Sequence, residues 1–247
     1  MKNFIFINLG TSGSGKSTRL NQMLLFLKSE GFEYEEVLYD EKVVGYHFKD
    51  FNTTFIGKWY TKNGLDRFQG LDSTTGIFGS SENITKFIDE RLKNHNVFVE
   101  GAGVTDSFRF RPPYFYETSK EYIDRAFFLI YYYTHDDKGH EEYQKRIVIR
   151  SGKPAGTAMW GKNRAFLRAH EKVGEYFRYI RDFKVENILL SYDEPITKTG
   201  ELFLDIFDKN LKERFIEYSK ENDFSKLNRF ENWEEKDSGY SDSLNLF

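Results

Sequence analysis

The sequence predicts an α/β protein, with a mostly parallel sheet covered by helices on both faces. Three observations carry this. An apolar run, Phe4–Leu9, leads into a glycine-rich turn and then a stretch of helical periodicity. Further apolar runs at 96–99, 126–133 and 185–191 are separated by amphipathic helical stretches. The run 126–133 (AFFLIYYY) is near-continuous in apolar and aromatic residues, as expected of a strand covered on both faces. Strands alternating with helices imply right-handed crossovers and ligands at the carboxyl ends of the strands.

The turn after the first strand reads Gly10-Thr11-Ser12-Gly13-Ser14-Gly15-Lys16-Ser17-Thr18. It fits G-x-x-x-x-G-K-[ST], the phosphate-binding loop of P-loop NTPases, in the strand–loop–helix context that the motif requires. Gly10, Gly13 and Gly15 allow turns that a side chain forbids, so successive N–H groups can face one concavity. Lys16 supplies a cation for the β- and γ-phosphates, Ser17 a hydroxyl for Mg²⁺, and the helix N-terminus favours the negative charge. The expectation is a bound nucleoside triphosphate. Leu20, Met23, Leu24 and Leu27 then recur at helical spacing, and Gly31 is the expected stop.

Residues 34–39 (YEEVLY) read as the second strand, ending at Asp40. Runs 43–48 and 53–60 read as a hairpin turning near Lys49-Asp50-Phe51-Asn52. The stretch 61–81 is rich in Gly, Ser, Thr and Asp with interspersed Phe, Leu and Ile, and reads as an ordered substrate loop. Ile84, Phe87, Ile88 and Leu92 share one face of a helix from about Ser81 to Asn94. The strand after it ends at Glu100-Gly101, a Walker B pattern whose carboxylate belongs beside the phosphate loop, where Mg²⁺ and its waters need a negative partner. Helices are expected over about 141–150, stopped by Gly152 and Pro154, over 161–182, and over 199–219.

Composition narrows the class. There is no cysteine, so disulfides and thiolate metal sites are excluded. The N-terminal apolar run is too short for a signal peptide or a membrane span and is used as a strand, so a cytoplasmic protein is expected. The formal net charge of −3 is unevenly spread: residues 138–184 carry +7 and residues 221–247 carry −4. The basic block is a candidate polyanion-facing surface or a solvated helix face.

Phosphoryl transfer needs charge neutralisation, in-line positioning and a group that orients the acceptor. Arg146 and Arg150 lie four apart on one helix face, where kinases with phosphate loops carry lid arginines, and Lys153 and Arg164 could join them. The N-K-x-D base-reading motif of switch GTPases is not found, which favours a kinase with ATP and Mg²⁺ as cofactors. On the acceptor side, Asp40, Asp66 and Asp72 are carboxylates at strand ends or in the Gly-rich stretch. By analogy with polynucleotide kinases, which place a catalytic Asp soon after the second strand, Asp40 is one candidate base.

Gly57-Lys58-Trp59-Tyr60, Gly70-Leu71-Asp72, Val99-Glu100-Gly101 and Lys145-Arg146…Arg150-Ser151-Gly152-Lys153, with Asn163 downstream, point to something narrower. Over about residues 5–190 the chain resembles phage P-loop kinases acting on 5-hydroxymethyluracil in DNA. It departs from them in its many aromatic residues, in the loop 107–122 and in the acidic tail. The expected organisation is a P-loop kinase domain over 1–220, with a β-hairpin and loop insertion at about 41–81 and a helical lid at about 138–162, followed by an acidic tail over 221–247. The resemblance implies that Lys16, Arg146 and Arg150 stabilise the moving phosphoryl group, that Ser17 and Glu100 hold Mg²⁺, and that Asp72, or else Asp40, takes the proton of the attacking hydroxyl. Its partner is DNA carrying a hydroxymethylated pyrimidine, with Trp59, Tyr60 and Phe68 available to stack on a base. Lys58, Arg67, Arg109, Arg111, Arg164, Arg168 and Lys172 are then available to the DNA backbone. A kinase of a nucleoside, nucleotide, metabolite or polynucleotide 5′-hydroxyl, and a non-catalytic nucleotide-binding module, are the competing readings.

Overall fold

Alternate residues of β1 (Asn3–Gly10) divide the interior in two: Phe4 and Phe6 point to one face of the sheet, Ile5 and Ile7 to the other, and all four are buried. In this computed structural model, which describes residues 3–10, 13–62, 65–101, 121–152, 156, 161 and 184–222, each face is covered by helices. The first carries α1 (Lys16–Ser29), α5 (Lys198–Leu204) and α6 (Lys209–Glu221), with Leu20, Met23, Phe203 and Phe215 in the shared core. The second carries α2 (Thr75–Phe78) and α3 (Ser81–Leu92), through Phe78, Ile84, Ile88 and Leu92.

The seven-stranded sheet has the order β2-β3-β4-β7-β1-β8-β9. Its strands are β1, β2 (Tyr34–Tyr39), β3 (Lys42–Phe48), β4 (Thr53–Ile56), β7 (Asn96–Glu100), β8 (Ile123–Tyr132) and β9 (Lys184–Ser191). Pairings β4–β7, β7–β1, β1–β8 and β8–β9 are parallel, whereas β2–β3 and β3–β4 are antiparallel. The expected α/β class with a mostly parallel, doubly covered sheet is therefore observed. Because β1 lies between β7 and β8, the strand order reverses around it, and the crevice at its carboxyl end is flanked by the ends of both neighbours.

The many aromatic residues have a structural use. Phe55, Phe98, Phe6 and Phe127 are in register across β4, β7, β1 and β8. Their rings form a stacked row with centroids 5.2, 4.7 and 5.4 Å apart. Phe203 presses edge-on against Phe6, Phe55 and Phe98 at 5.4–5.8 Å, the arrangement that ring quadrupoles favour.

Four details differ from the sequence reading. The strand expected over 53–60 ends at Ile56, because Gly57 takes φ +150 and turns the chain. A new strand, β5 (Lys58–Lys62), starts after that turn, and the stretch 61–81 read as a loop holds its hairpin partner β6 (Leu65–Gln69), a 3₁₀ turn at Leu71–Ser73 and α2. The helix expected over 199–219 is two helices, since Asp208 is in an extended conformation and its side chain accepts the Asn210 N–H, capping α6. Helix α4 (Asp137–Ser151) starts one turn earlier than expected, at the Asp136 cap that accepts from Gly139 N–H at 2.7 Å, and ends at Gly152 with φ +70. The helix expected over 161–182, with Asn163, Arg164, Arg168 and Lys172, lies outside the described residues, as do Arg109, Arg111 and the acidic tail beyond 222.

Candidate active site

The end of β1 is built to bring backbone close to backbone. Gly10, at φ +145, lies against Tyr131 of β8, so that a Cβ there would come within 2.9 Å of the Tyr131 Cβ. Gly13 and Gly15 also have positive φ, +79 and +85, and Gly15 hands the chain to α1 in the left-handed conformation. Lys16 is buried and its Nζ donates to Gly10 O at 2.8 Å, bending the side chain back over the loop. Thr18 follows in the first turn of α1, while Thr11 and Ser12 fall outside the described residues.

Glu100 ends β7 beside this loop, 3% exposed, and Ser17 Oγ donates to its Oε1 at 3.1 Å. Two motif residues 83 positions apart are thus one hydrogen-bonded pair. The 3₁₀ turn after β6 then closes on the same strand end. Gly70 packs directly on the Glu100 backbone and carboxylate, with no space for a side chain. Asp72 follows two residues later, its Oδ1 2.7 Å from where a Cβ on Gly101 would stand. Gly101 itself has φ +158. The Gly10–Thr18 loop, the end of β7 and the Gly70–Asp72 turn therefore meet.

The opposite wall comes from β8 and α4. Tyr133, just past β8, donates from its hydroxyl to Gly13 O at 2.7 Å, and burial pushes its ionisation upward. It stacks on Tyr192 at 4.9 Å, and the Arg146 guanidinium lies over both rings, 5.8 Å from Tyr133 and 5.3 Å from Tyr192. Arg146 Nε donates to Glu142 Oε1 at 2.7 Å, which fixes it one turn along α4. Its Cβ is 3.7 Å from the position of a Cβ on Gly13, so this helix packs on the loop after β1 itself. Arg150 is on the same helix, in its last turn.

Sequence reasoning missed Arg19. It is 4% exposed, and its guanidinium donates to Ser14 O (2.7 Å), Tyr192 O (3.3 Å) and Glu194 O (2.6 Å), while Nε reaches Pro195 O (3.4 Å). It also lies 4.5 Å from the centre of the Tyr131 ring. Burial lowers its pKa, and the fork of donors ties the Gly10–Thr18 loop to the loop after β9. Tyr133 and Tyr192, the ring pair under Arg146, were missed as well; their signal was their place directly after a strand.

Other candidates are not brought to this cluster. Asp40 and Glu41 form a two-residue turn with φ +50 and +59 between β2 and β3, the left-handed pair that such a turn requires. That hairpin is at the sheet edge, with β3, β4 and β7 between β2 and β1, about 19 Å across. Asp66 is held by Lys28 Nζ at 2.7 Å and by Thr61 Oγ1, and Lys28 lowers its pKa. Phe68 is buried against Trp59 and Tyr46, which removes it from any base-stacking role. Tyr60 is 41% exposed.

Comparison with known proteins adds the decisive observation: the family described as 5-hmdU DNA kinase 2 matches residues 1–180. The chain belongs to the 5-hmdU DNA kinase 2 family. A curated relative named 5-hmdU DNA kinase 2, from Salmonella phage ViI, is 27% identical over 175 residues, covering 68% of this chain. The chain spans about half of that relative's length (55%). The matched family region takes in the phosphate-loop motif, Asp72, Glu100 and α4. The resemblance to hydroxymethyluracil-DNA kinases drawn from residues 5–190 is thereby borne out. Among the described residues, no helix is long and apolar enough to cross a membrane.

Proposed function

We propose that this chain transfers the γ-phosphoryl group of ATP to the 5-hydroxymethyl oxygen of hydroxymethyluracil in DNA, on a P-loop kinase fold. One observation carries the reading: the Gly70–Asp72 turn is packed onto Glu100-Gly101, with Gly70 against Glu100 and Asp72 Oδ1 against Gly101, and Glu100 is itself hydrogen-bonded to Ser17. Family membership supports the acceptor.

The residues fit a magnesium–nucleotide ligand. A hydroxyl and a carboxylate are the hard oxygen donors that Mg²⁺ prefers, and in kinases the phosphates and water complete its shell. Ser17 would hold it directly and Glu100 through water; bound there, the ion would neutralise charge developing on the β- and γ-oxygens. The loop N–H groups between Gly10 and Thr18 bind the phosphates, helped by the N-terminus of α1. Lys16, freed from Gly10 O, gives its ammonium to the β- and γ-oxygens. Arg146 closes the site from α4 with Arg150 on the same helix, and the two neutralise the transferred group.

Asp72 accepts the proton of the hydroxymethyl group as that oxygen forms its bond to γ-phosphorus. The bond from γ-phosphorus to the β,γ-bridging oxygen breaks, and ADP leaves with that electron pair. The products are ADP and a phosphorylated hydroxymethyl group, with the proton left on Asp72 and then lost to water. A base reaches such a site by leaving the duplex stack.

The test is transfer from γ-labelled ATP to four acceptors: hydroxymethyluracil duplex, thymine duplex with blocked ends, thymine duplex with free 5′-hydroxyls, and the free nucleoside. Label in the first alone, dependent on Mg²⁺, is expected. Label confined to free 5′ ends or to the nucleoside overturns the proposed acceptor, and no label in any overturns the kinase assignment.

A further inference from the structure

The β5–β6 hairpin has two unlike faces. Register pairs Trp59 with Phe68 and Thr61 with Asp66 on one, and Lys58 with Gln69, Tyr60 with Arg67 and Lys62 with Leu65 on the other. The first face lies on α1. Phe68 is buried there, and its N–H donates to Asn21 Oδ1 at 2.9 Å. Lys28 Nζ stands 4.6 Å from the Trp59 ring and pairs with Asp66. The hairpin's one acid is therefore spent inward. The second face has three basic register positions, no acidic one, and Tyr60 as an exposed aromatic ring.

Placement gives this face a direction. At the base of the hairpin Gly57 is in close contact with Gly70, a Cβ there falling 2.8 Å from the Gly70 Cα, and Gly70 in turn lies on Glu100. At the other end Asp66 pairs with Lys28, in the last turn of α1. Same-face residues recur about every 7 Å along a strand. The basic face thus begins at the mouth of the candidate site and leads away along α1.

Resting on the reading of DNA as the acceptor, we infer that this outward face is where the DNA strand flanking the acceptor base is held. Lys58 and Arg67 contact phosphates, and the Tyr60 ring stacks on a base. A chain with formal net charge −3 attracts a polyanion only through such a local surface. A strand whose base is extruded into the site has to continue along one of its walls, and this wall carries the complementary charge. Stacking on an exposed ring is tolerant of sequence.

The test is anisotropy of the full chain with labelled hydroxymethyluracil duplex over a salt series, beside the Lys58→Gln/Arg67→Gln double variant. Losing two phosphate contacts lowers the slope of log affinity against log salt by about 1.8. Tyr60→Ser weakens binding by ~10-fold with little change in slope. ATP affinity without DNA is expected to stay at the wild-type value in each. The charge-keeping Lys58→Arg/Arg67→Lys variant is expected to retain the wild-type slope, which separates lost charge from lost fold. A wild-type chain that binds DNA and a double variant with an unchanged slope overturn this inference alone. A wild-type chain that binds no DNA overturns it together with the DNA reading.

Discussion

Ser17 and Glu100 form one hydrogen-bonded pair, Oγ to Oε1 at 3.1 Å, between the first turn of α1 and the last residue of β7. Neighbouring strands force this meeting. Asn8 of β1 is level with Glu100 in the parallel register, so the residue that ends β7 is delivered to the loop that follows β1. The buried carboxylate has little access to water, and the Ser17 hydroxyl is one of the partners that keep it there.

Replacing Glu100 by Gln keeps shape and hydrogen bonding but removes the charge. Turnover is expected to fall by ~10–100-fold, with half-saturation moving to higher Mg²⁺. Tm is expected to change little. Initial rates titrated with Mg²⁺ at saturating ATP check this, and a magnesium dependence identical to wild type would remove Glu100 from the metal site.

Asp72→Asn separates acceptor from donor chemistry. The carboxamide keeps the turn but cannot take a proton, so kcat is expected to fall by ~10²-fold or more with ATP affinity unchanged. Asp40→Asn, at the sheet edge, is expected to behave as wild type. Single-turnover transfer and equilibrium ATP binding on both variants decide between them, and the reverse pattern would move the base to Asp40.

What was legible in the sequence follows how local each signal is. The Gly10–Thr18 loop is a spacing of consecutive residues, and Glu100 is marked by the end of a short apolar run, so both are readable along the chain. Strand β6 was hidden because Asp66, Arg67 and Gln69 look like loop residues. It forms because Trp59 and Phe68 pair across the hairpin and bury themselves on α1. The break between α5 and α6 was missed although Asp208 is a good cap, because Ile206 and Leu211 continue the helical spacing across it. Arg19 could not be read at all. Its partners after β9 are 173–176 positions away, and nothing near it in sequence distinguishes a buried guanidinium from a solvated one.

That buried guanidinium makes a prediction about both stability and nucleotide. Arg19→Ala leaves the Ser14, Tyr192 and Glu194 carbonyls without their donor, at a cost of about 3 kcal/mol and a Tm fall of roughly 6–12 °C at this chain length. Because Ser14 belongs to the phosphate loop, the KM for ATP is expected to rise more than kcat falls. Arg19→Lys keeps the charge but not the fork, and should recover stability only in part. Thermal melts with ATP titrations check this, and an unchanged KM in a destabilised variant would leave Arg19 a packing residue only.

At the far end of the sheet a buried histidine adds to the loss of stability in acid. His47 is buried, its ring 4.4 Å from that of His95, with Nδ1 3.1 Å from Thr54 Oγ1. Arg91 can only donate, and it gives Nη2–H to that same hydroxyl at 2.9 Å, so Thr54 has its own proton to give to an unprotonated His47 nitrogen. Burial, then His95 and Arg91, lowers the His47 pKa to about 4; Glu35 opposes them and Lys49 adds to them. The ordinary value is about 6.5. As pH falls below that, the unfolded chain binds this proton while the folded one does not. The stability carried by neutral His47 is therefore whole above about pH 6.5 and is lost as pH falls toward 4. Discounted for solvent screening, it amounts to about 1–2 kcal/mol, and each kcal/mol is about 2–4 °C of Tm. His47→Gln should flatten the Tm profile across this window relative to wild type, whatever its effect at pH 8. Two melting profiles that stay parallel from pH 8 to pH 4 would show that His47 titrates normally in the folded chain.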